Sequence, residues 1–430
     1  KEYTNRKAFE GFRETSPYYM GKMDIWYGFA CQGIDLLTKS GVLCFIAQNN
    51  WTTSAGAKKM RNKIIAETRI LQLVDFNDYM IFGDSASIQT MVMLFRKDNK
   101  TVNYQIDLRK LLSGAKKSDM IDLLSKRQTD KTQFHNYTLI RENYINTLVT
   151  FSDNEKVLDK IRKDKLFFRA NEVAQGIVFP QDFLNKKNQS KLGMYNVGDG
   201  VFGLSDDEKN QLNLSIQESK LIKPYFTTDQ IQRYYTDKRN RLWLIYTDSS
   251  YKNPSSLNEF PNIKQHLDKF VSIMTSDNKP YGLHRAREER FFMGEKIISQ
   301  RKCVGKPVFS YSSFDCYVTQ TFYIIQTSRW NMKFLTGLLN SKLVTFWLRY
   351  KGKMQGENFQ VDKEPLLNIP LPRTDVNQQA VITLVNQILN AKQENPQVDT
   401  SEWEDEIDQL VYQLYKLTDE EIAAVEGIFL

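Results

Sequence analysis

The sequence predicts three consecutive parts: an incomplete α/β sheet, an α+β domain and a C-terminal helical hairpin. Three observations carry that reading. Between residues 24 and 97, helical and strand patterns alternate and include long apolar runs. From about residue 166, short apolar strands alternate with loops rich in Gly, Asn and Asp. After residue 373, apolar positions recur at helical spacing and the charge turns negative.

The elements follow in order. Ile25, Trp26, Phe29, Ile34, Leu36 and Leu37 fit a helix face within Asp24–Thr38, and Gly41 ends that helix. VLCFIA (Val42–Ala47) is a continuous apolar run and predicts a strand buried on both faces, the parallel kind. WTTSAGAKKMRNKIIAETR has a helical pattern; ILQLVDF (Ile70–Phe76) and SIQTMVMLFRK (Ser87–Lys97) are the next two strands. This is the order of a Rossmann-like sheet with too few strands to complete it. A chain that opens at Lys1 is expected to be a piece of something longer. No glycine-rich first turn is present, so no cofactor phosphate loop is expected.

Residues 111–165 are charged and predict a helical connector, with Ser152 and Glu155 at capping-box spacing. Beyond it RLWLIY (Arg241–Tyr246), KIISQR (Lys296–Arg301), VFSYS (Val308–Ser312) and CYVTQTFYIIQT (Cys316–Thr327) predict strands. NIKQHLDKFVSIMT and Phe334–Tyr350 predict helices. In the tail, Trp403, Ile407, Leu410, Val411, Leu414 and Leu417 form a helical stripe, and Thr418 and Glu421 a capping box. That stripe is expected to pack on the body, with the acidic face turned away from any polyanion.

The 430 residues are 26% charged and 41% apolar, a globular composition sufficient for two or three domains. No apolar run approaches the roughly 18 to 20 residues of a membrane span, and no signal-peptide pattern opens the chain. Neither a membrane partner nor a secretory route is expected. Cys31, Cys44, Cys303 and Cys316 form no C-x-x-C pair, and His135, His266 and His284 are scattered. Free, buried thiols in a reducing cytoplasm and no metal site are the expectation. The net charge of +8 is unevenly shared: residues 374–430 hold two basic side chains against twelve acidic, and the remainder 57 against 39. A basic body with an acidic end suits a polyanion, and nucleic acid is the first candidate.

Three basic segments are candidate contacts. YGLHRAREERFF (Tyr281–Phe292) offers His284, Arg285 and Arg287 for a phosphate or a guanine edge; Arg290 lies three residues on, as if on one helix face with Arg287. Glu288 and Glu289 compete as internal ion-pair partners. His284 has no nucleophile or carboxylate near it in sequence, which argues against a general base. SQRKCVGKP (Ser299–Pro307) adds Arg301 and Lys302. YKGKMQGENFQ (Tyr350–Gln360) adds Lys351, Lys353, Gln355, Asn358 and Gln360, with glycines that let a backbone approach a phosphate. Residues 281–373 hold fifteen basic and seven acidic side chains, a local excess that fits this use.

DIWYGF, LLTKSGVLCFIAQNNW, RNKI and VDFNDYMIFGDSASIQTMVMLFRK together resemble the second half of the adenine-N6 DNA methyltransferases of TaqI-like or Eco57I-like architecture. ESKLIKPYFTTDQIQRYY and LTGLLNSKLVTFWLRYKGKMQGENFQVDKEPLLNIPLP resemble the entry and close of a target-recognition domain in type IIG restriction–modification enzymes, and the EIDQLVYQLY phrase resembles their usual end. The resemblance implies a methyltransferase part over residues 1–110, the connector over 111–165, a DNA target-recognition domain over 166–373 and an acidic helical tail over 374–430. It implies S-adenosylmethionine as the parent's cofactor, double-stranded DNA as partner, and a bacterial or archaeal cytoplasm. It also implies that Phe82 stacks on a flipped base, with Tyr79 as the alternative ring. The family's N-P-P-aromatic motif is absent from the chain; SPYY (Ser16–Tyr19) lacks the second proline. No catalytic and no cofactor-binding residue is therefore expected here, and the chain alone should not methylate. No Asp…Glu-x-Lys nuclease cluster occurs either, VDKEP having the wrong order, so magnesium enters only if the parent carries a nuclease. The alternatives are a separate specificity subunit that docks on a methylase and, less supported, an RNA-binding protein.

Overall fold

The computed structural model describes residues 7–83, 88–151, 154–355 and 358–427. The chain divides into two units, residues 1–156 and 157–430. Among the described residues no helix is long and apolar enough to cross a membrane.

The first unit is built on one five-stranded sheet. Its helices are α1 (Glu10–Thr15), α2 (Trp26–Leu36), α3 (Lys58–Glu67) and α4 (Lys117–Leu124); its strands are β1 (Val42–Gln48), β2 (Thr68–Asp75), β3 (Thr90–Lys97), β4 (Asn103–Leu111) and β5 (Thr132–Ile140). The spatial order is β1-β3-β2-β4-β5. β3 is antiparallel to both β1 and β2, β4 is parallel to β2, and β5 is antiparallel to β4. The apolar residues of α2 and α3 pack with those of β2 and β3 in one core, which includes Ile34, Ile64, Ile65, Ile70 and Met93.

Two expectations change here. β1 is not buried on both faces. It ends the sheet, pairs only with β3 among the described strands, and alternates in exposure, so Val42 and Ile46 are each 47% exposed. A continuous apolar run does not reveal whether a neighbour covers its second face. The predicted helical connector instead begins at the end of β4 and supplies β5; before residue 155 its described residues are helical only in α4 and in a 3-10 turn at Arg141–Tyr144. The polar residues of β4 and β5 alternate with apolar ones, because one face of these strands is half solvated. The expected start of the third strand, Ser87, and the expected cap Ser152 lie outside the described residues.

α5 (Glu155–Arg162) leads into the second unit and buries Val157, Leu158 and Ile161 in its core. The strands that follow are β6 (Val173–Gln175), β7 (Gly203–Ser205), β8 (Ile222–Phe226), β9 (Tyr234–Tyr235), β10 (Leu242–Ile245), β11 (Lys296–Gln300), β12 (Lys302–Cys303), β13 (Phe309–Ser312), β14 (Tyr317–Val318), β15 (Phe322–Ile325), β16 (Met354–Gln355) and β17 (Asn358–Gln360). They form a four-stranded sheet β14-β8-β10-β7, a five-stranded sheet β6-β15-β11-β13-β9 and a three-stranded sheet β12-β17-β16. The predicted single strand Cys316–Thr327 is thus two strands in two sheets, parted by the polar turn Thr319–Thr321.

The five-stranded sheet separates two cores. Ile297 of β11 and Ile325 of β15 face one; Ile298 and Ile324, one residue along, face the other. On the first side lie two consecutive helices, Met332–Asn340 and Lys342–Lys351, where the sequence predicts a single one. The break has a local cause: the Ser341 hydroxyl accepts from the Val344 N–H and caps the second helix. Buried Asn340 ties the first to β13, donating to the Phe309 carbonyl at 2.7 Å.

The tail packs on this pair as three helices, Gln379–Glu394, Ser401–Leu414 and Asp419–Glu426, and the Thr418–Glu421 capping box is formed. Close approach is possible because residue 337 is glycine. A Cβ there would lie 2.6 Å from Val381 Cγ1 and 3.0 Å from Val385 Cγ2. Gly337→Leu should therefore destabilise the second unit by about 1–3 kcal/mol through overpacking. A denaturant titration reads this as a lower midpoint; an unchanged midpoint would mean that the tail is not held here.

Candidate nucleic-acid interface

The site grows out of the end of β11. That strand is buried along its length, and the chain reaches solvent at Arg301 and Lys302. Arg301 is held through its backbone on both sides: its N–H donates to the Thr321 carbonyl at 2.9 Å, and its carbonyl accepts from the Val361 N–H at 2.8 Å. Lys302 and Cys303 then pair with Gln360 and Phe359 of β17, and β17 pairs with β16, Gln355 opposite Asn358. The two basic segments SQRKCVGKP and YKGKMQGENFQ, separate in sequence, are thus one small sheet. Buried Cys303 and Phe359 seat it on the core, while Lys302, Gln355 and Asn358 are exposed. Gly356 and Glu357, between Gln355 and Asn358 in sequence, lie outside the described residues.

Asp362 closes this sheet. Its Oδ1 accepts from Arg301 Nε at 2.6 Å, and its Oδ2 accepts from Lys353 Nζ and from Gln360 Nε2, each at 3.1 Å. Burial works against the Arg301 charge, but the Asp362 carboxylate outweighs it and raises the guanidinium further. Lys351 ends its helix and has contacts of its own.

Arg287 belongs to the same neighbourhood. The Tyr323 hydroxyl feels the charges of Asp362, Arg301 and Arg287. The Lys363 ammonium is lowered by burial first and then by Arg287. Yet Arg287 is a strut rather than an open cation. It sits at φ 73°, donates from Nη2 to Gln175 Oε1 at 2.9 Å and from Nε to the Gly176 carbonyl at 3.3 Å, and its own carbonyl accepts from the Tyr246 hydroxyl. It shares no helix face with Arg290, because only Glu289–Phe292 is helical there, as a single 3-10 turn.

Arg290 pairs with Glu288 at 2.8 Å and donates to the Asn171 carbonyl, and Glu289 accepts from Lys223 and Tyr317. Of the charges in YGLHRAREERFF, Glu288, Glu289 and Arg290 are thus ion-paired, while Tyr281, Leu283, Ala286, Phe291 and Phe292 belong to the core. Arg285 differs. Its backbone bridges to Val178, but its exposed side chain has no hydrogen-bond or ion-pair partner among the described residues. His284 keeps a buried Nδ1 without a hydrogen bond.

β6, which holds Arg287, is itself fixed by Glu172. That carboxylate accepts from Arg329 Nε and Nη2 at 2.8 and 2.5 Å, from Thr327 Oγ1 at 2.7 Å and from the Arg169 N–H at 2.7 Å. Burial alone would raise this carboxyl; Arg329 and the other donors bring it down to about 2.

In the first unit, Phe82 is 50% exposed after the carboxyl end of β2, whereas Tyr79 packs with Phe76, Leu111 and Leu123. Residues 84–87 of that loop lie outside the described residues. Cys44 is exposed, against the expectation of buried thiols; the other three cysteines are buried. Its alternate position on the half-covered β1 explains the difference. Asp362, Gln175 and Tyr323 are the residues that sequence reasoning missed. Asp362 stands in VDKEP, and nothing local marks it as the partner of an arginine 61 positions earlier.

An α/β sheet with α2 and α3 on one face and α4 on the other is followed by a mixed unit with a basic small sheet, the order expected of a methylase part joined to a DNA-specificity part. The comparisons agree. Residues 2–82 match the Eco57I restriction-modification methylase family and residues 223–371 the TaqI-like C-terminal specificity domain, so the chain is a homologue of the type II methyltransferases. It is 24% identical to the type II methyltransferase M.HindII of Haemophilus influenzae over 376 residues, covering 82% of this chain and 68% of that protein. It is 22% identical to M.HincII, also of Haemophilus influenzae, over 368 residues, covering 82% and 67%. Its fold is similar to that of the type IIL restriction-modification enzyme MmeI, solved in complex with DNA, at a TM-score of 0.54 and 13% identity. That match takes in 94% of this chain but 51% of MmeI, so the chain spans about half of that structure.

Two outcomes test the site's construction. Arg285→Ala should leave stability within about 0.5 kcal/mol, whereas Arg287→Ala should lose about 1–3 kcal/mol by stranding the polar groups it satisfies; urea unfolding of both separates an open cation from a strut. Glu172 should contribute stability above its unfolded pKa of about 4.3, lost as the pH falls toward 2. Glu172→Gln should therefore be less stable than the unmodified chain at pH 6, with the gap closing by pH 3 to 2. A gap independent of pH would remove the carboxylate from that account.

Proposed function

We propose that the chain is the DNA-recognising portion of a site-specific, adenine-N6 DNA methyltransferase of a restriction–modification system. In this reading the second unit recognises double-stranded DNA, and the first forms part of the methylase sheet, with Phe82 presented to a flipped base. The observation that carries it is the small sheet: Arg301, Lys302, Lys353, Gln355 and Asn358, from two segments, come together within the stretch that matches a specificity domain. Lys302 and Arg285 suit phosphates, and amide side chains on a two-stranded ribbon suit base edges.

The transferable methyl group belongs to S-adenosylmethionine in this reading. The residues present do not fit that cofactor. Gly41 precedes β1 rather than following it, and a Cβ on Gly56 would lie 2.7 Å from the Lys22 carbonyl, so Gly56 serves packing. With no N-P-P-aromatic motif either, no catalytic step is assigned to these residues. They act with the part that supplies both. The surface suited to receive it is the uncovered face of β1, where Val42 and Ile46 are exposed. The same surface would serve if the chain were a specificity subunit and the methylase a separate protein.

Binding to a random-sequence duplex library across a salt series tests the reading. The expected result is enrichment of a defined sequence and a log–log salt slope of several ions. Salt-insensitive binding without duplex preference would sink it.

A further inference from the structure

The geometry points to Arg301 as a base-reading arginine for one guanine, with Asp362 as the residue that positions it. The inference deepens the DNA-recognition reading above and rests on it.

Arg301 is anchored at three points. Its N–H and carbonyl are both hydrogen-bonded, and its side chain is fixed by one contact, Nε to Asp362 Oδ1 at 2.6 Å. That contact uses the inner nitrogen. Among the described residues no hydrogen bond engages Nη1 or Nη2, and the side chain is 35% exposed. The guanidinium is therefore held side-on with its two-pronged outer edge presented. That edge matches the O6 and N7 acceptors of guanine in the major groove, and the fit depends on a fixed plane, which a lysine lacks.

Three other arginines of the unit are arranged differently. Arg329 gives Nε and Nη2 to Glu172, Arg239 gives Nε and Nη2 to Asp237, and Arg287 gives Nε to the Gly176 carbonyl and Nη2 to Gln175. In each an outer nitrogen is already used. Asp362 in turn is held by Lys353 and Gln360 through its second oxygen, so it cannot swing away with the arginine. Those two donors come from the helix-to-hairpin loop and from β17, which fixes the reading edge relative to the exposed Gln355 and Asn358 on the same sheet. Since Asp362 takes up charge from both Arg301 and Lys353, it also keeps them from acting as loose phosphate contacts. Discrimination rather than bulk affinity is what this arrangement favours.

The test uses the full 430-residue chain and a randomised duplex library, read as the enriched motif and as relative affinities for its single-base-pair changes. Thermal midpoints of every variant verify folding. The unmodified chain should enrich a motif containing at least one G·C pair at which Arg301→Lys loses discrimination, by about 5- to 150-fold, while other positions and the salt slope hold. Asp362→Ala should lose discrimination at that same position, Asp362→Asn should lose less, and Arg301→Lys with Asp362→Ala should lose no more there than Arg301→Lys alone. A uniform loss of affinity in Arg301→Lys would make Arg301 a phosphate contact, and an unchanged motif would remove it from the interface; either overturns the inference while leaving DNA recognition intact. Discrimination lost at every position together in Asp362→Ala would make Asp362 a general scaffold residue and overturn its positioning role. No enrichment by the unmodified chain would overturn the DNA reading itself, and this inference with it.

Discussion

The second unit depends on one constraint: its central sheet is buried on both faces. β11 and β15 send successive isoleucines into opposite cores, so neither strand can slip by one residue without turning its whole apolar set around. Each buried Ile contributes about 1.5–3 kcal/mol, and four of them fix the register. Even the lysine that opens β11 conforms. Lys296 is fully buried, its ammonium donates to the Gly294 and Phe314 carbonyls at 2.6 Å each, and burial lowers it to about 8. A strand fixed this firmly delivers the residue at its exit, Arg301, to one place.

Around that exit the unit manages charge by pairing. Glu172 takes Arg329, Glu288 takes Arg290, Glu289 takes Lys223, and Asp362 takes Arg301 with Lys353. A basic excess read from the sequence therefore overstates the number of open cations. Arg285, Lys302 and the outer edge of Arg301 keep donors that no carboxylate among the described residues there takes up. The acidic tail uses its charge inward as well: Lys342 donates its backbone N–H to Asp408 and its ammonium to Asp405. The tail is a support for the helix pair under the sheet, locked by the contact of Gly337 with Val381 and Val385.

Much of this was legible beforehand, for identifiable reasons. The helix of Asp24–Thr38, the strand ILQLVDF and the Thr418 capping box follow from local periodicity and local hydrogen bonding, and they form within a residue or two of expectation. The strands β4 and β5 were hidden in a charged segment because a half-solvated strand carries polar residues at every second position. The division of Phe334–Tyr350 into two helices was written in Asn340–Ser341, but an apolar helical pattern running through it masked the cap. At the site, the three basic segments were visible by composition. Their roles were not, because YGLHRAREERFF holds a strut, an ion pair and an open arginine within six residues.

The sequence by itself determined the order of α/β and α+β parts, the acidic helical end and the likeness to a methylase joined to a specificity domain, since these rest on periodicity, composition and short phrases. Only the tertiary structure decided which cations are open. Arg301 meets Asp362 across 61 residues, and Arg287 meets Gln175 across 112. Pairings at such separations leave no periodic trace in a single chain. They exist because two buried strands and a small sheet bring those side chains within hydrogen-bonding distance.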